Sequence, residues 1–481
     1  MKDLADRALD LASARGAGYA DIRIGHRDSR SVVVKNGKVE ALSNMESRGF
    51  GVRVLVNGAW GFASSSILAG EEIDRVTALA VDVARASSTV KRHDVDIGPP
   101  VKIRASYRTP MRIDPFSVPV DKIIETLLAA DAAMRGVKGI TVSEAGAEML
   151  RDTVTFASTE GSYIEQVLTD MGGGIEATAA GRDDVQKRSY PNSFGRHQGK
   201  AGYEFFEDMD LPGNAERIAL EAVQLLDAPQ CPSGVTTIIL DATQLALQLH
   251  ESCGHPTELD RVFGTEAAYA GTSFLTTDRL GNFRYGSEIV NVVADATAPS
   301  GLGTFGYDDE GVPAQRTPII SSGVFVGYLT SRETASQIGQ TSNGCARADG
   351  WNRIPLVRMT NLNLEPGDWE LDDLIADTDE GIFMQTNKSW SIDDKRLNFQ
   401  FGTEIAWEIK KGRLGRILKN ATYAGITPEF WRSCDAICSR KHWNIWGTPN
   451  CGKGQPVQIA RVGHGTAPAR FRDVQVGIMK S

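Results

Sequence analysis

Apolar residues recur every three to four positions at the start of the chain. Leu4, Ala8, Leu11 and Ala12 form one stripe between charged residues, which predicts an amphipathic helix over 2–15. The period then shortens to two in ADIRIGH, SVVVKNGKVEAL and GFGVRVLVNGAWGFAS, which read as strands. Asn36-Gly37 and Asn57-Gly58 each interrupt an alternating run. Both residue types tolerate positive φ, so each pair predicts a tight hairpin. Helical spacing returns at about 70–86 and about 119–135, on either side of a connector around Pro99-Pro100. A second set of strands is predicted over 139–181 and another helix over about 213–227. Helices interleaved with antiparallel hairpins predict an α+β layer structure rather than a doubly wound parallel sheet.

The stretch APQCPSG (228–234) is rich in Pro, Ser and Gly and reads as a boundary. Beyond it VTTIILD has the pattern of a buried strand, and ATQLALQLHESCG that of a helix. From about 290 onward short β-rich runs alternate with Gly, Pro and Asp turns, so the second half is expected to be mostly β. A length of 481 residues exceeds one ordinary core and accommodates two domains or three. The pattern places an N-terminal α+β domain at 1–227 and a C-terminal domain at 235–481. No repeat of fixed period and no low-complexity tract is visible.

Composition narrows the classes. Hydrophobic residues make up 41% and charged residues 23%, ordinary for a globular chain, and the net charge of −9 argues against a nucleic-acid binder. No run approaches the ~20 apolar residues needed to span a bilayer, so no membrane partner is expected. The amino terminus lacks the apolar core of a signal peptide. The six cysteines, at 231, 253, 345, 434, 438 and 451, are too scattered for a disulfide framework, and a reducing cytoplasm is the expected compartment.

The chemistry concentrates in LQLHESCGHPTELD, where His250, Glu251 and His255 fall within six residues of a chain that has seven histidines. A His-Glu pair followed by a second His on a helix is the layout of a zinc hydrolase: imidazoles hold the metal and the carboxylate takes a proton from the attacking water. The spacing is one residue too long. Positions i and i+4 differ by about 40° around an ideal helix, but i and i+5 by about 140°, which would turn His255 away. Gly254 and Pro256 bracket His255, and both residue types end or distort helices. A helix that stops or bulges at Gly254 would bring His255 back.

A catalytic zinc takes three protein ligands, so a third is needed from far along the chain. Cys451 in GTPNCGKGQP is a candidate, with the other cysteines in competition. The main rival is Cys434, Cys438 and His442, which at i, i+4 and i+8 would line one helix face and with Cys451 could form a closed structural zinc site. Two phosphate-loop patterns fail. Gly447–Lys453 has Gly454 where Ser or Thr should hold magnesium, and Gly301, Gly303 and Gly306 are preceded by Pro299 and followed by YDDEG, with no helix start.

GVRVLVNGAWGFAS, HESCGHPTELD, AGTSF, DDEG, RMTNLNLEPG and CGKGQ together resemble the TldD/PmbA family of zinc metalloproteases, on its metal-bearing, TldD-like side, over nearly the whole chain. That resemblance implies a His-Glu-x-x-x-His motif with the extra residue. It also implies zinc held by His250, His255 and Cys451, with Glu251 as general base. It further implies peptide or unfolded polypeptide substrates, cut inside a cavity that the N-terminal domain helps to cover. The assembly implied is a homodimer or a heterodimer with a catalytically silent family member. The chain departs from the family at Pro256 and Leu259, where glycines are usual, while Glu258 and Asp260 keep their places. Two other readings are a non-proteolytic binding or maturation subunit with structural zinc, and a zinc amidohydrolase of a small molecule.

Overall fold

The computed structural model describes residues 1–477; residues 478–481, the end of the second expected domain, lie outside the described residues. The predicted hairpins form as expected. β1 (Tyr19–Lys35) turns at Asn36-Gly37 into β2 (Lys38–Val56), which turns at Asn57-Gly58 into β3 (Ala59–Ser65). All four turn residues have positive φ, from 48° to 82°, the geometry that matches a two-residue turn to the twist of its strands. With β4 (Arg104–Arg108), β5 (Ile140–Ser158), β6 (Tyr163–Ala180), β7 (Val185–Tyr190) and β8 (His197–Gly199) these strands make one sheet. Its order is β3-β2-β1-β5-β6-β4, with β7 and β8 also on β6. Every pairing in it is antiparallel except β4 on β6.

The central strands are too long for a single core. β1 has 17 residues, which at about 3.3 Å each spans roughly 55 Å. It carries a different core at each end. Ile22 and Ile24 pack with helices 2–14 and 70–88 through Ala8, Ile73 and Val76. Val32 and Val34 pack with helices 120–136 and 211–227 through Leu127, Ile218 and Ala222. The four helices expected from apolar spacing are all present, within a few residues of their expected ends.

The second half is β-rich, as the short runs predicted. β9 (Gly234–Leu240) pairs in parallel with strand 380–392 and antiparallel with strand 469–476. From 469–476 the pairing continues to 422–426, then to 398–410, and strand 398–410 returns to 380–392, closing a five-stranded barrel. A separate six-stranded sheet includes strands 361–364, 458–466 and 444–453, the last at its edge. The helix that follows β9, residues 242–249, is buried around its circumference, so it is a core element and not a surface helix. Leu245 and Leu249 join the barrel's Phe399, Phe401 and Phe471 in one cluster. No helix among the described residues is long and apolar enough to cross a membrane.

Buried ion pairs join the two halves. Arg53 on β2 donates to Asp21 and to Glu310, the latter at 3.0 Å. Arg188 on β7 donates to Glu404 of strand 398–410 at 2.9 Å, with the two side chains 2% and 1% exposed. Glu404 also accepts from the Ser189 amide and hydroxyl, both at 2.7 Å. Removing one partner of such a pair strands the other charge. Arg188→Met is expected to destabilise the protein by about 3–5 kcal/mol, and Arg188→Met with Glu404→Gln to recover part of that loss. Denaturant melts of both variants check this; equal destabilisation by both would show that packing, not stranded charge, sets the cost.

Candidate metal centre

The site is built on a local irregularity in the helix after β9. Asp241 caps the helix, its carboxylate accepting from the Thr243 amide at 3.0 Å, and regular α-helix runs from Ala242 to Leu249. The next turn, His250–Gly254, is π-helical, and a 3₁₀ turn follows at His255–Thr257. The His255 amide donates to the His250 carbonyl, an i→i+5 bond between the two motif histidines themselves. The helix therefore does not break at Gly254; it widens over the whole motif. The widened turn absorbs the extra residue, and the two rings end on the same side, with centroids 4.8 Å apart. Gly254 is required here by contact, not by φ: a Cβ would lie 2.1 Å from the Met359 sulfur.

A chain of buried hydrogen bonds fixes the rotation of this helix. Gln244 Nε2 donates to the Tyr423 hydroxyl at 3.0 Å, and that hydroxyl donates to Gln248 Oε1 at 3.0 Å. Gln248 Nε2 reaches Ser252 Oγ at 3.2 Å, and Ser252 Oγ accepts from Trp431 Nε1 at 2.9 Å. Tyr423 belongs to the barrel and Ser252 to the π-turn, so the barrel sets the orientation of the motif.

Cys451 arrives from the edge strand 444–453, opposite Ala460, at a register shift between Thr448 and Cys451. Its Sγ lies 3.3 Å from His250 Nε2 and 3.6 Å from His255 Nε2. Ligand atoms of His250, His255 and Cys451 all fall within 4.8 Å of one another, the one such His/Cys/Asp/Glu group among the described residues. Neighbouring N and S donors around a tetrahedral zinc, with bonds of 2.0–2.3 Å, sit about 3.5 Å apart. The three donors thus fit that ion in type, and the two thiol-to-imidazole distances fit it in spacing. The rival set is not assembled: Cys434 lies on strand 434–437 rather than on a helix, and His442 Nε2 sits 3.1 Å from Glu370.

Electrostatics separates Cys451 from the other thiols. Burial pushes Cys231 up to about 11 and Cys253, Cys345 and Cys438 up to about 12, and raises Cys434 as well. Burial acts the same way on Cys451, but Arg358 and His255 outweigh it and bring its pKa below the usual thiol value. Arg358 Nη2 also donates to the Cys451 carbonyl. His250 is driven towards its neutral form by burial.

The groups behind the donors are charged and buried. His255 Nδ1 bonds Glu258 Oε2 at 2.8 Å, which leaves Nε2 directed at Cys451. Burial works against the Glu258 carboxylate, yet Lys453 and His255 hold it well below the usual carboxylate range. Lys453 Nζ lies 3.4 Å from Glu258 and 2.6 Å from Asp260, and is itself fully buried. His250 Nδ1 lies 2.7 Å from His464 Nε2 on strand 458–466. Glu251 is outside the donor group. Its carboxylate pairs with Arg396 Nη1 at 2.9 Å, and although burial opposes ionisation, His250, His255 and Arg396 keep its pKa lowered.

His250, Glu251, His255, Cys451 and Arg396 line a cavity of about 430 Å³. One wall is Thr448, Asn450 and Cys451 of the edge strand, another is Trp390 and Arg396, and Phe194 and Arg196 enter from the N-terminal half. Phe194 and Trp390, 6.3 Å apart between ring centroids, are 39% and 47% exposed and form an apolar rim. The structure thus brings together His250, His255, Cys451 and Glu251, all singled out by sequence. Sequence reasoning gave no role to His464, Arg358, Lys453 or Arg396. Glycines on both sides of His464 were the one local signal, and its partner lies 214 residues away.

A buried two-histidine, one-thiolate donor set beside a carboxylate has the donor types of a zinc site that leaves one position open. Comparison with known proteins agrees. The three PmbA/TldA metallopeptidase models match in order: domain 1 over 20–84, the central domain over 113–228 and the C-terminal domain over 216–478. The chain is 32% identical to Metalloprotease MJ0996 of Methanocaldococcus jannaschii over 446 residues, 92% of this chain and 94% of that one. A zinc metalloprotease TldD homolog of Saccharolobus solfataricus is 26% identical over 266 residues, 54% of this chain and 56% of that protein. Among solved structures, TldE from Thermococcus kodakarensis superposes with a TM-score of 0.78 over 98% of this chain and 99% of its own, at 16% identity. The chain belongs to the TldD/PmbA family of metallopeptidases.

The donor assignment separates the cysteines by experiment. Cys451→Ser is expected to lower zinc affinity by at least ~10-fold, because a neutral hydroxyl replaces a thiolate. Cys434→Ser and Cys438→Ser are expected to keep one zinc per chain. Metal analysis after dialysis checks both; metal lost from the latter pair and kept by Cys451→Ser would favour the rival site.

Proposed function

We propose that this protein is a zinc-dependent peptidase of the HExxxH type, in which His250, His255 and Cys451 hold the metal and Glu251 is the general base. The observation that carries this reading is the separation of roles in the site. Three donors converge within 4.8 Å of one another, while the one acidic side chain of the motif stands outside them, lining the same cavity. A purely structural zinc needs no such base, which argues against the maturation-subunit reading.

Zinc, when bound, supplies a Lewis acid that polarises the peptide carbonyl and makes water more acidic. The protein's own groups do the rest. Glu258 holds His255 by Nδ1 and His464 holds His250 by Nδ1, which keeps both Nε2 atoms free to act as donors. Glu251 accepts the proton of the attacking water and returns it to the leaving nitrogen. The strand 444–453 is the edge of its own sheet and its residues 448–452 line the cavity, which suits an extended peptide that bonds to backbone without its side chains being read. The rim of Phe194 and Trp390 offers apolar contact to side chains that flank the bond.

The site's place in the fold supports a preference for extended chains. Asn192, Ser193, Phe194 and Arg196 of the N-terminal half line the same cavity as the motif, which suits an extended chain better than a folded domain whose backbone groups are already paired. The reading includes a dimer, with a second copy or with a silent family member, that completes the enclosure.

Glu251→Ala is expected to keep about one zinc per chain while hydrolysis of an unstructured peptide falls by ~10²–10⁴-fold. Loss of the metal along with the activity would make Glu251 a ligand and refute the scheme. The same polypeptide offered in a stable folded form and in a destabilised form is expected to be cut only in the second. Equal rates for the two would mean that the site is open.

A further inference from the structure

Arg396 occupies an unusual position for a residue that only neutralises a neighbour. It sits at the tip of the hairpin joining strands 380–392 and 398–410, with φ 63°, a left-handed conformation that an L-residue adopts only under constraint. The constraint is visible on all sides. Within the turn, the Arg396 amide donates to the Asp393 carbonyl at 2.9 Å. The Asp393 carboxylate accepts from the amides of Leu397 and Asn398 at 2.8 and 3.0 Å. Three successive carbonyls are then held by three other parts of the chain. Arg261 Nη2 donates to Asp394 O at 2.8 Å, the Phe274 amide to Lys395 O at 3.0 Å and Thr427 Oγ1 to Arg396 O at 2.9 Å.

This turn delivers one guanidinium to the wall of the metal cavity. Nη1 is bonded to Glu251 Oε2 at 2.9 Å, the one hydrogen bond of this side chain among the described residues. Nε is buried and has no partner. A guanidinium carries five N–H donors in a rigid fork, so most of its donor capacity is unspent beside the carboxylate that receives the proton. Unspent, pre-positioned donors next to a general base are what a developing negative charge requires.

We propose that Arg396 is a catalytic residue that donates hydrogen bonds to the scissile carbonyl oxygen as negative charge builds on it. This rests on the peptidase reading above. Water adds to the carbonyl carbon, forming a C–O bond, while the π pair of C=O moves onto the carbonyl oxygen and the water's proton passes to Glu251. The pair on oxygen then re-forms C=O as the C–N bond breaks, the C–N electron pair leaves on nitrogen, and that nitrogen takes the proton from Glu251. Arg396 acts while the oxygen carries the pair. It favours the transition state over the bound substrate, so its removal should fall on kcat rather than on KM.

The test uses the zinc-loaded full chain and an internally quenched, unstructured casein peptide. Arg396→Gln is expected to lower kcat by ~10²–10³-fold, with KM within about threefold and zinc content unchanged. Arg396→Lys, which keeps the charge and loses the fork, should fall between. Millimolar guanidine should restore part of the activity of Arg396→Ala and none of that of Glu251→Ala, a rescue that a merely structural side chain would not show. Activity in Arg396→Gln near the wild-type level, or a loss that follows zinc content and resists guanidine, overturns the role of Arg396 alone. A zinc-loaded wild type no faster than Glu251→Ala removes the peptidase reading, and this inference with it.

Discussion

The i→i+5 hydrogen bond from the His255 amide to the His250 carbonyl is the constraint on which the site depends. In a regular helix the two imidazoles would point about 140° apart, and no arrangement of distant residues could bring both to one ion. The bond widens one turn and aligns them. A widened turn is intrinsically less favourable than α-helix, so something else must hold it. The Gln244–Tyr423–Gln248–Ser252–Trp431 chain does this from the barrel side, and the Met359 sulfur closes the gap that only a glycine at 254 leaves.

Behind the donors lies a second dependence, electrostatic in nature. Glu258, Asp260, Lys453 and Arg358 are buried charges, and burying any one alone would cost several kcal/mol. They are tolerable as a set: Lys453 lies between the two carboxylates, and Arg358 faces both Glu258 and the Cys451 backbone. The same set tunes the donors. Glu258 fixes the His255 tautomer, and Arg358 helps bring the Cys451 thiol towards its ionised form. Stability of the region and readiness of the ligands therefore come from the same interactions.

Much of this was legible in the chain, for reasons that differ by residue. Asn36-Gly37 and Asn57-Gly58 were readable because a two-residue turn needs positive φ, a local demand. The four N-terminal helices were readable because each buries one stripe. His250, Glu251 and His255 stood out because three ligating residues are rare in so short a span. The π-turn was foreseen only as one of two outcomes at Gly254, a stop or a bulge, because spacing alone does not distinguish them. Cys451 could be chosen over its rivals only by family resemblance, since its 196-residue separation from His255 carries no periodic signal. Arg396 gave no signal either: DDKRLN reads as an ordinary charged turn, and only the packed neighbours reveal why it is held there.

The barrel explains why a hairpin tip and a helix so far apart in sequence can share one site. Strand 380–392 lies directly beside β9, with Met384 opposite Leu240. The Asp241 amide donates to Met384 O at 2.9 Å and the Thr386 amide to Thr243 Oγ1 at 3.1 Å, so the start of the motif helix is stitched to that strand. The strand continues to Trp390 at the cavity rim, and its hairpin returns Arg396 to Glu251. In an open sheet such a register can slip by pairs of residues. Here the ring closes through 398–410, 422–426 and 469–476, so a slip at one seam would have to propagate through every other. Closure thus converts strand register into the distance between the carboxylate on the helix and the guanidinium on the hairpin.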